Sequence, residues 1–297
     1  VRELVVCSGK GGTGKTSVLA SFAALAQNTV VADCDVDAAD LHLVLDPSIE
    51  RREEFYGGRE AWIDQNRCAG CAGCYDLCRY SAIVEHTDTD GRLTYSVDPL
   101  SCEGCGVCVH FCPERAIRFP EKLSGEWFVS ETRHGPFVHA RLGIAAENSG
   151  KLVTLVRNQA RSLAEKRNMD LVLIDGPPGI GCPVIASITG ADAVLVVTEP
   201  TKTALHDLKR VADLSRYFRI PVSVCINKYD INTDEAEEIV RYCAEKNFEI
   251  VGTVPYDPHV TRAQMAGTTV VEYGSSPAAD AIRQVWDKTR TSILNPA

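Results

Sequence analysis

Eight cysteines in two identical runs constrain this chain more than any other feature of its sequence. Cys68, Cys71, Cys74 and Cys78 spell C-x2-C-x2-C-x3-C, and Cys102, Cys105, Cys108 and Cys112 spell it again 34 residues later. The chain holds 13 cysteines in all, an odd count that argues against a disulfide framework and for metal chemistry or catalysis. Gly70, Gly73, Gly104 and Gly106 supply turns that let three thiolates of one run converge. Zinc knuckles are one reading, since CxxC units also bind Zn²⁺. Zinc sites usually set two CxxC pairs farther apart, whereas here three cysteines crowd into seven residues, twice. Iron–sulfur ligation is the better expectation.

At 297 residues the chain suits one large α/β domain or two modest ones. It needs no disulfide staples, because a chain of this length buries roughly 75% of its extended surface. Lys and Arg number 31 against 40 Asp and Glu, a net charge of −9. That balance disfavours sequence-independent nucleic-acid binding, which depends on neutralising phosphates. No apolar run approaches the ~20 residues of a membrane span, and no leader pattern opens the sequence. The expected location is cytoplasmic.

A second motif frames the first. Gly9-Lys10-Gly11-Gly12-Thr13-Gly14-Lys15-Thr16 satisfies G-x4-G-K-[ST] between a strand-like run at 3–7 and an apolar helical stretch beginning at Ser17. Its glycines let backbone N–H groups wrap phosphates at a helix N-terminus. Lys15 would reach the β- and γ-phosphates, and Thr16 would place its hydroxyl on Mg²⁺. Further strands near 29–33, 171–175, 193–197, 222–226 and 250–254 alternate with helical patterns at Leu152–Lys166, Leu205–Tyr217 and Glu235–Lys246. Apolar runs without alternation mean strands covered on both faces. The expected fold is an α/β, doubly wound, mostly parallel P-loop sheet.

With Lys10 the loop reads K-G-G-T-G-K-T and resembles the deviant Walker A motif of the MinD/Mrp and nitrogenase iron-protein class of ATPases. The resemblance implies an ATP·Mg²⁺ sandwich dimer, formed with itself or a related ATPase, in which Lys10 reaches the partner's phosphates. It also implies that Asp35 positions the attacking water near Mg²⁺, although Asp33 and Asp37 compete for that assignment. Asp175 ends a Walker B strand, and the Gly179 amide in the following switch II would sense the γ-phosphate. Asn227 would contact the base, and the loop carrying Pro255 and Asp257 would border the adenine.

The cysteine runs resemble bacterial two-cluster ferredoxins, in which the fourth cysteine of each run ligates the other cluster. One 4Fe–4S cluster would take Cys68, Cys71, Cys74 and Cys112; the other would take Cys102, Cys105, Cys108 and Cys78. Pro113 follows the last cysteine as that pattern expects, but Arg79 stands at the matching place in the first run. Residues 1–59 and 121–297 would form the ATPase domain, with 60–120 a small inserted α+β ferredoxin-like domain.

The leading functional expectation is an ATPase that couples nucleotide state to electron transfer with a redox partner. The alternative is an iron–sulfur cluster carrier or assembly ATPase resembling the Mrp type. A positioning ATPase would need a membrane tail or a basic face, and neither is visible. Cys7, Cys34, Cys225 and Cys243 read as inert thiols. Cys182, seven residues after Asp175, reads as a small buried residue ahead of a helix starting near Val184, or as a ligand to an additional cluster shared across the dimer. Glu50–Glu54 reads as a solvated helix end. His134 and His139 could be ligands but read better as satisfied or exposed, and Ala279–Leu294 reads as a helix packed on the sheet.

Overall fold

A computed structural model describes residues 1–88, 91–143 and 150–294. The chain opens with β1 (Arg2–Cys7), α1 (Lys15–Leu25), β2 (Thr29–Asp33), α2 (Leu41–Leu45) and β3 (Ser48–Arg59). Next come β4 (Trp62–Ile63), α3 (Gly73–Leu77), β5 (Ile83–Thr87), β6 (Leu93–Val97), α4 (Val107–Phe111) and β7 (Ile117–Arg118). After β8 (Glu121–Thr132) and β9 (Gly135–Leu142) follow α5 (Lys151–Lys166), β10 (Leu171–Asp175), α6 (Cys182–Ile188) and β11 (Ala193–Thr198). The rest is α7 (Lys202–Tyr217), β12 (Val222–Asn227), α8 (Thr233–Lys246), β13 (Glu249–Val254), α9 (Pro258–Met265), α10 (Val270–Tyr273) and α11 (Pro277–Leu294).

The chain divides into two units. Of the described residues, the first holds those of 1–53, 126–142 and 150–294, and the second those of 54–125 with 143. A nine-stranded sheet runs β13-β12-β11-β1-β10-β2-β9-β8-β3. From β13 to β9 the strand pairings are all parallel, giving the α/β, mostly parallel P-loop NTPase fold. Leu4, Val6, Leu173 and Leu195 share one core with α1 and α11, including Phe22, Ile282, Val285 and Trp286. Strand side chains alternate between faces, so the equally buried Val5, Val172, Ile174 and Val196 serve the opposite face, where α5 and α7 pack against β2, β10 and β11. Residues 279–294 lie in α11, with Ile282, Val285, Trp286 and Ile293 buried.

Glu50–Glu54 is not a helix end but part of β3, the last strand of the sheet. Its side chains are almost all exposed, so no hydrophobic alternation marks it. Charged residues on a sheet edge discourage pairing with other chains. Residues 127–142 supply the second half of β8 and all of β9, and β9 runs parallel to β2.

Candidate functional site

Parallel sheets place ligands beyond the C-terminal ends of their strands, and there the first unit forms a cavity of about 450 Å³, within the range of small-molecule sites. Gly11, Gly12, Thr13, Gly14, Lys15, Thr16 and Ser17 line it, with Ser8, Asp35, Asn227, Pro255 and Asp257. Gly14 caps α1 in the left-handed region at φ 87°. A Cβ there would lie 2.2 Å from the Asn227 amide nitrogen, so only glycine lets the loop close on β12. Asn227 Nδ2 donates to the Thr13 carbonyl at 2.7 Å, and Lys228 Nζ donates to the Gly12 carbonyl at 2.9 Å.

The charges converge on Lys15. Its Nζ lies 2.5 Å from Asp175 Oδ1 and 3.1 Å from Asp35 Oδ2, and Thr16 Oγ1 donates to Asp175 Oδ2 at 3.0 Å. Burial alone would lower the Lys15 pKa, but Asp175 and Asp35 outweigh it and raise it. Asp33 is buried; desolvation, then the Asp175 charge, lifts its carboxyl well above the usual range. Its Oδ1 accepts the Asp35 N–H at 3.1 Å, while its Oδ2 has no partner among the described residues. Burial also raises Asp35, against the pull of Lys15. A phosphate cradle with one buried lysine suits phosphates, and a divalent cation there would be held by the Thr16 hydroxyl together with the phosphates themselves.

Gly9, Lys10, Asp175 and Gly179 are outside the cavity lining. The Gly179 N–H donates to the Ser8 carbonyl at 3.1 Å. The Asp257 carboxylate is held by the fold: Oδ1 accepts from His259 N at 2.9 Å, capping α9, and Oδ2 accepts from Ala278 N at 3.2 Å. Lys10 Nζ turns to Glu199, 2.8 Å away, with Thr201 and Thr203 hydroxyls each at 3.3 Å. Glu199 also pairs with Lys228 at 3.1 Å. No motif flagged Glu199; its only sequence signal is a carboxylate just after an apolar strand.

The second unit is built as a structural repeat with the same 34-residue offset as its cysteines. Residues 73–77 of α3 correspond to 107–111 of α4, and Ile83 at the start of β5 corresponds to Ile117 at the start of β7. The N–H of Ala82 approaches Cys78 Sγ at 3.4 Å, and that of Ala116 approaches Cys112 Sγ at 3.3 Å. One cavity is lined by Cys68, Cys71, Cys74 and Cys112; another is lined by Cys78, Cys102, Cys105 and Cys108. Among the described residues no three His, Cys, Asp or Glu side chains form a group able to hold a single metal ion. The thiols instead line two small, mostly apolar cavities, four to each.

Cys7, Cys34, Cys225 and Cys243 are buried, and desolvation pushes the Cys7 and Cys225 thiols up to about 12 and Cys243 to about 11. Such thiols are inert. Cys182 corrects the packing expectation: it is exposed, and it is the first residue of α6 instead of a residue ahead of the helix. His139 is buried against Ser130 at 3.0 Å, and His134 lies 3.1 Å from Glu272. Among the described residues no helix is long and apolar enough to cross a membrane.

The chain is 29% identical over 297 residues to the uncharacterized protein MJ0578 of Methanocaldococcus jannaschii, covering 99% of this chain and 98% of that protein. It is 23% identical to an iron-sulfur cluster carrier protein of Pyrococcus abyssi, covering 96% and 84%. Its fold resembles that of the septum site-determining protein MinD complexed with Mg-ADP from Pyrococcus horikoshii, at a TM-score of 0.57 and 18% identity, covering 97% and 95% of the two chains. Residues 4–270 match the family described as the CobQ/CobB/MinD/ParA nucleotide binding domain, and the chain belongs to that family.

Proposed function

We propose that this protein is an ATP-dependent iron–sulfur cluster carrier that holds two 4Fe–4S clusters in a ferredoxin-like inserted unit. The observation that carries the reading is the sorting of eight cysteines into two four-thiol cavities, in a chain that also builds a P-loop cavity. The likeness to an iron-sulfur cluster carrier protein supports carriage over electron relay. Electron transfer is the second reading, favoured by one feature: each cavity supplies four thiols, enough to close a cluster's coordination.

When bound, the clusters supply redox-active iron and a unit that thiolate exchange can transfer. At the other site Lys15 leaves Asp175 and Asp35 for the β- and γ-phosphates. Thr16 would hold Mg²⁺ through its hydroxyl, and Asp175 would accept a hydrogen bond from that hydroxyl or from a water on the ion. Asp35, freed from Lys15, orients the attacking water. Two chains close around two nucleotides, Lys10 crosses to the partner's phosphates, and the Gly179 amide leaves Ser8 to face the γ-phosphate. Asn227 and the Pro255–Asp257 loop border the base. The exposed Cys182 thiol is the candidate for a third cluster shared across that dimer.

The test is anaerobic reconstitution followed by counts of iron, sulfide and bound ATP. About eight irons per chain, a thiolate-to-iron absorbance and Mg²⁺-dependent ATP binding support the proposal. Stoichiometric zinc without that absorbance defeats it.

A further inference from the structure

The internal repeat allows the two thiol cavities to be compared position by position; Gly73 stands opposite Val107, but four other breaks in the repeat leave the first cavity the more firmly held. Tyr95 lines the first cavity; 34 residues earlier, Ala61 lines the second. Tyr95 is 1% exposed, and its hydroxyl donates to Glu85 Oε2 at 2.8 Å. The ring is therefore fixed in the wall of the cavity. The second cavity has Phe119 in its wall, half-buried, with no hydroxyl to anchor it and only the Arg59 guanidinium 5.8 Å from its ring centroid, beside a Tyr80 ring that is 50% exposed.

The backbone differs in the same direction. Ala72, beside the first cavity, has the left-handed φ of 59°, while its counterpart Gly106 has φ 73°. An alanine stays in that region only when its surroundings hold it there, whereas glycine visits it freely. Pro113 fixes φ after Cys112 of the first cavity, and Arg79 leaves it free after Cys78 of the second. Cys68 is buried, but its counterpart Cys102 is half-buried.

We infer that the cavity of Cys78, Cys102, Cys105 and Cys108 is the donor site, which releases its cluster to thiolates of an acceptor, while the cavity of Cys68, Cys71, Cys74 and Cys112 retains its cluster. This rests on the two-cluster reading proposed above. Release is ligand exchange: four bonds from iron to this chain's sulfurs break, and four form to acceptor thiolates. The freed cysteines take up protons given off by the acceptor's thiols, so no oxidant or reductant enters. A more exposed wall and a loop with glycine at 106 and no proline at 79 favour the first bond exchange, because the incoming thiolate must reach iron before the outgoing one leaves.

The experiment mixes reconstituted full-length protein with excess EDTA, anaerobically, and follows iron and the thiolate-to-iron absorbance. Two phases of about equal amplitude are expected, separated by at least tenfold in rate. Cys105→Ser should remove or accelerate the fast phase and leave the slow one; Cys71→Ser should alter the slow phase alone. The paired change Gly106→Ala with Arg79→Pro should slow the fast phase severalfold, a readout that does not depend on losing a ligand. Protein that takes up no clusters fails the underlying reading. Two full clusters released at one rate, or a fast phase that follows Cys71, overturns the assignment of the donor site.

Discussion

Lys10 Nζ lies 2.8 Å from Glu199 Oε1 and outside the lining of the P-loop cavity, so the lysine proposed to act on a partner's phosphates is held by its own chain. Burial alone would raise the Glu199 pKa, but Lys10 and Lys228 outweigh it and hold the carboxylate below its ordinary range. Releasing Lys10 means breaking this pair. Glu199→Gln should therefore strengthen dimerisation driven by an ATP analogue by about 1 kcal/mol, or roughly fivefold, and the gain should vanish in a Lys10→Ala background. Sedimentation of the four proteins of that cycle checks it. An equal gain with and without Lys10 would place the effect elsewhere, for instance in the Lys228 contact with Gly12.

Lys15→Ala should do more than abolish ATP binding. It leaves Asp33, Asp35 and Asp175 close together without their buried cation, so the nucleotide-free protein should lose about 3 kcal/mol at neutral pH. Asp33 and Asp35 have raised pKa values in the fold, so the folded state binds more protons than the unfolded chain at intermediate pH. Their protonation relieves the repulsion, and the deficit should shrink toward about pH 5. Urea denaturation at the two pH values measures this; a deficit that grows on acidification contradicts it.

His139 predicts an acid transition of the opposite origin. Burial, then the His42 charge, lowers its pKa from 6.5 to about 4, and its ring stacks between Phe128 and Phe137 at 4.9 and 4.5 Å. The unfolded chain takes up the proton first, so this contribution is fully present above pH 6.5 and is lost as pH falls toward 4. The loss should reach an order of 3 kcal/mol. His139→Phe should flatten the stability profile across that window, and an unchanged profile would remove His139 from the account.

Glycine positions in the P-loop should differ sharply. A Cβ on Gly9 would lie 2.1 Å from Asp207 Cβ and 3.0 Å from its Cα, whereas one on Gly11 meets nothing within 4 Å. Gly9→Ala should displace the start of the loop from α7 and lower both melting temperature and ATP affinity. Gly11→Ala should fold with an unchanged melting temperature. Equal thermal shifts in the two variants would contradict the packing described.

The P-loop, the central parallel strands and the repeated cysteine runs were legible because each has a local signature: glycines at fixed spacing, unbroken apolar runs, and thiols in register. What escaped was set by tertiary context. Strand β3 carries Glu50–Glu54 at the sheet edge, where exposure on both faces erases the two-residue period. Glu199 belongs to no motif and becomes informative only when the fold brings β11, β12 and the loop together around it. The sequence leaves Cys182 between a small buried residue and a ligand at the dimer, and the fold makes it the exposed first residue of α6.

Cluster transfer tests the central claim most directly. The reconstituted protein is mixed with an apo-dehydratase that requires a 4Fe–4S cluster, with and without Mg²⁺ and ATP, and the iron on each partner is counted after separation. Carriage predicts that about one cluster per chain moves to the dehydratase, that the amount or rate depends on ATP, and that Lys15→Ala abolishes the ATP dependence. If both clusters stay on the protein through repeated ATP turnover and only their reduction state changes with nucleotide, the protein is an electron relay and the carrier proposal is wrong.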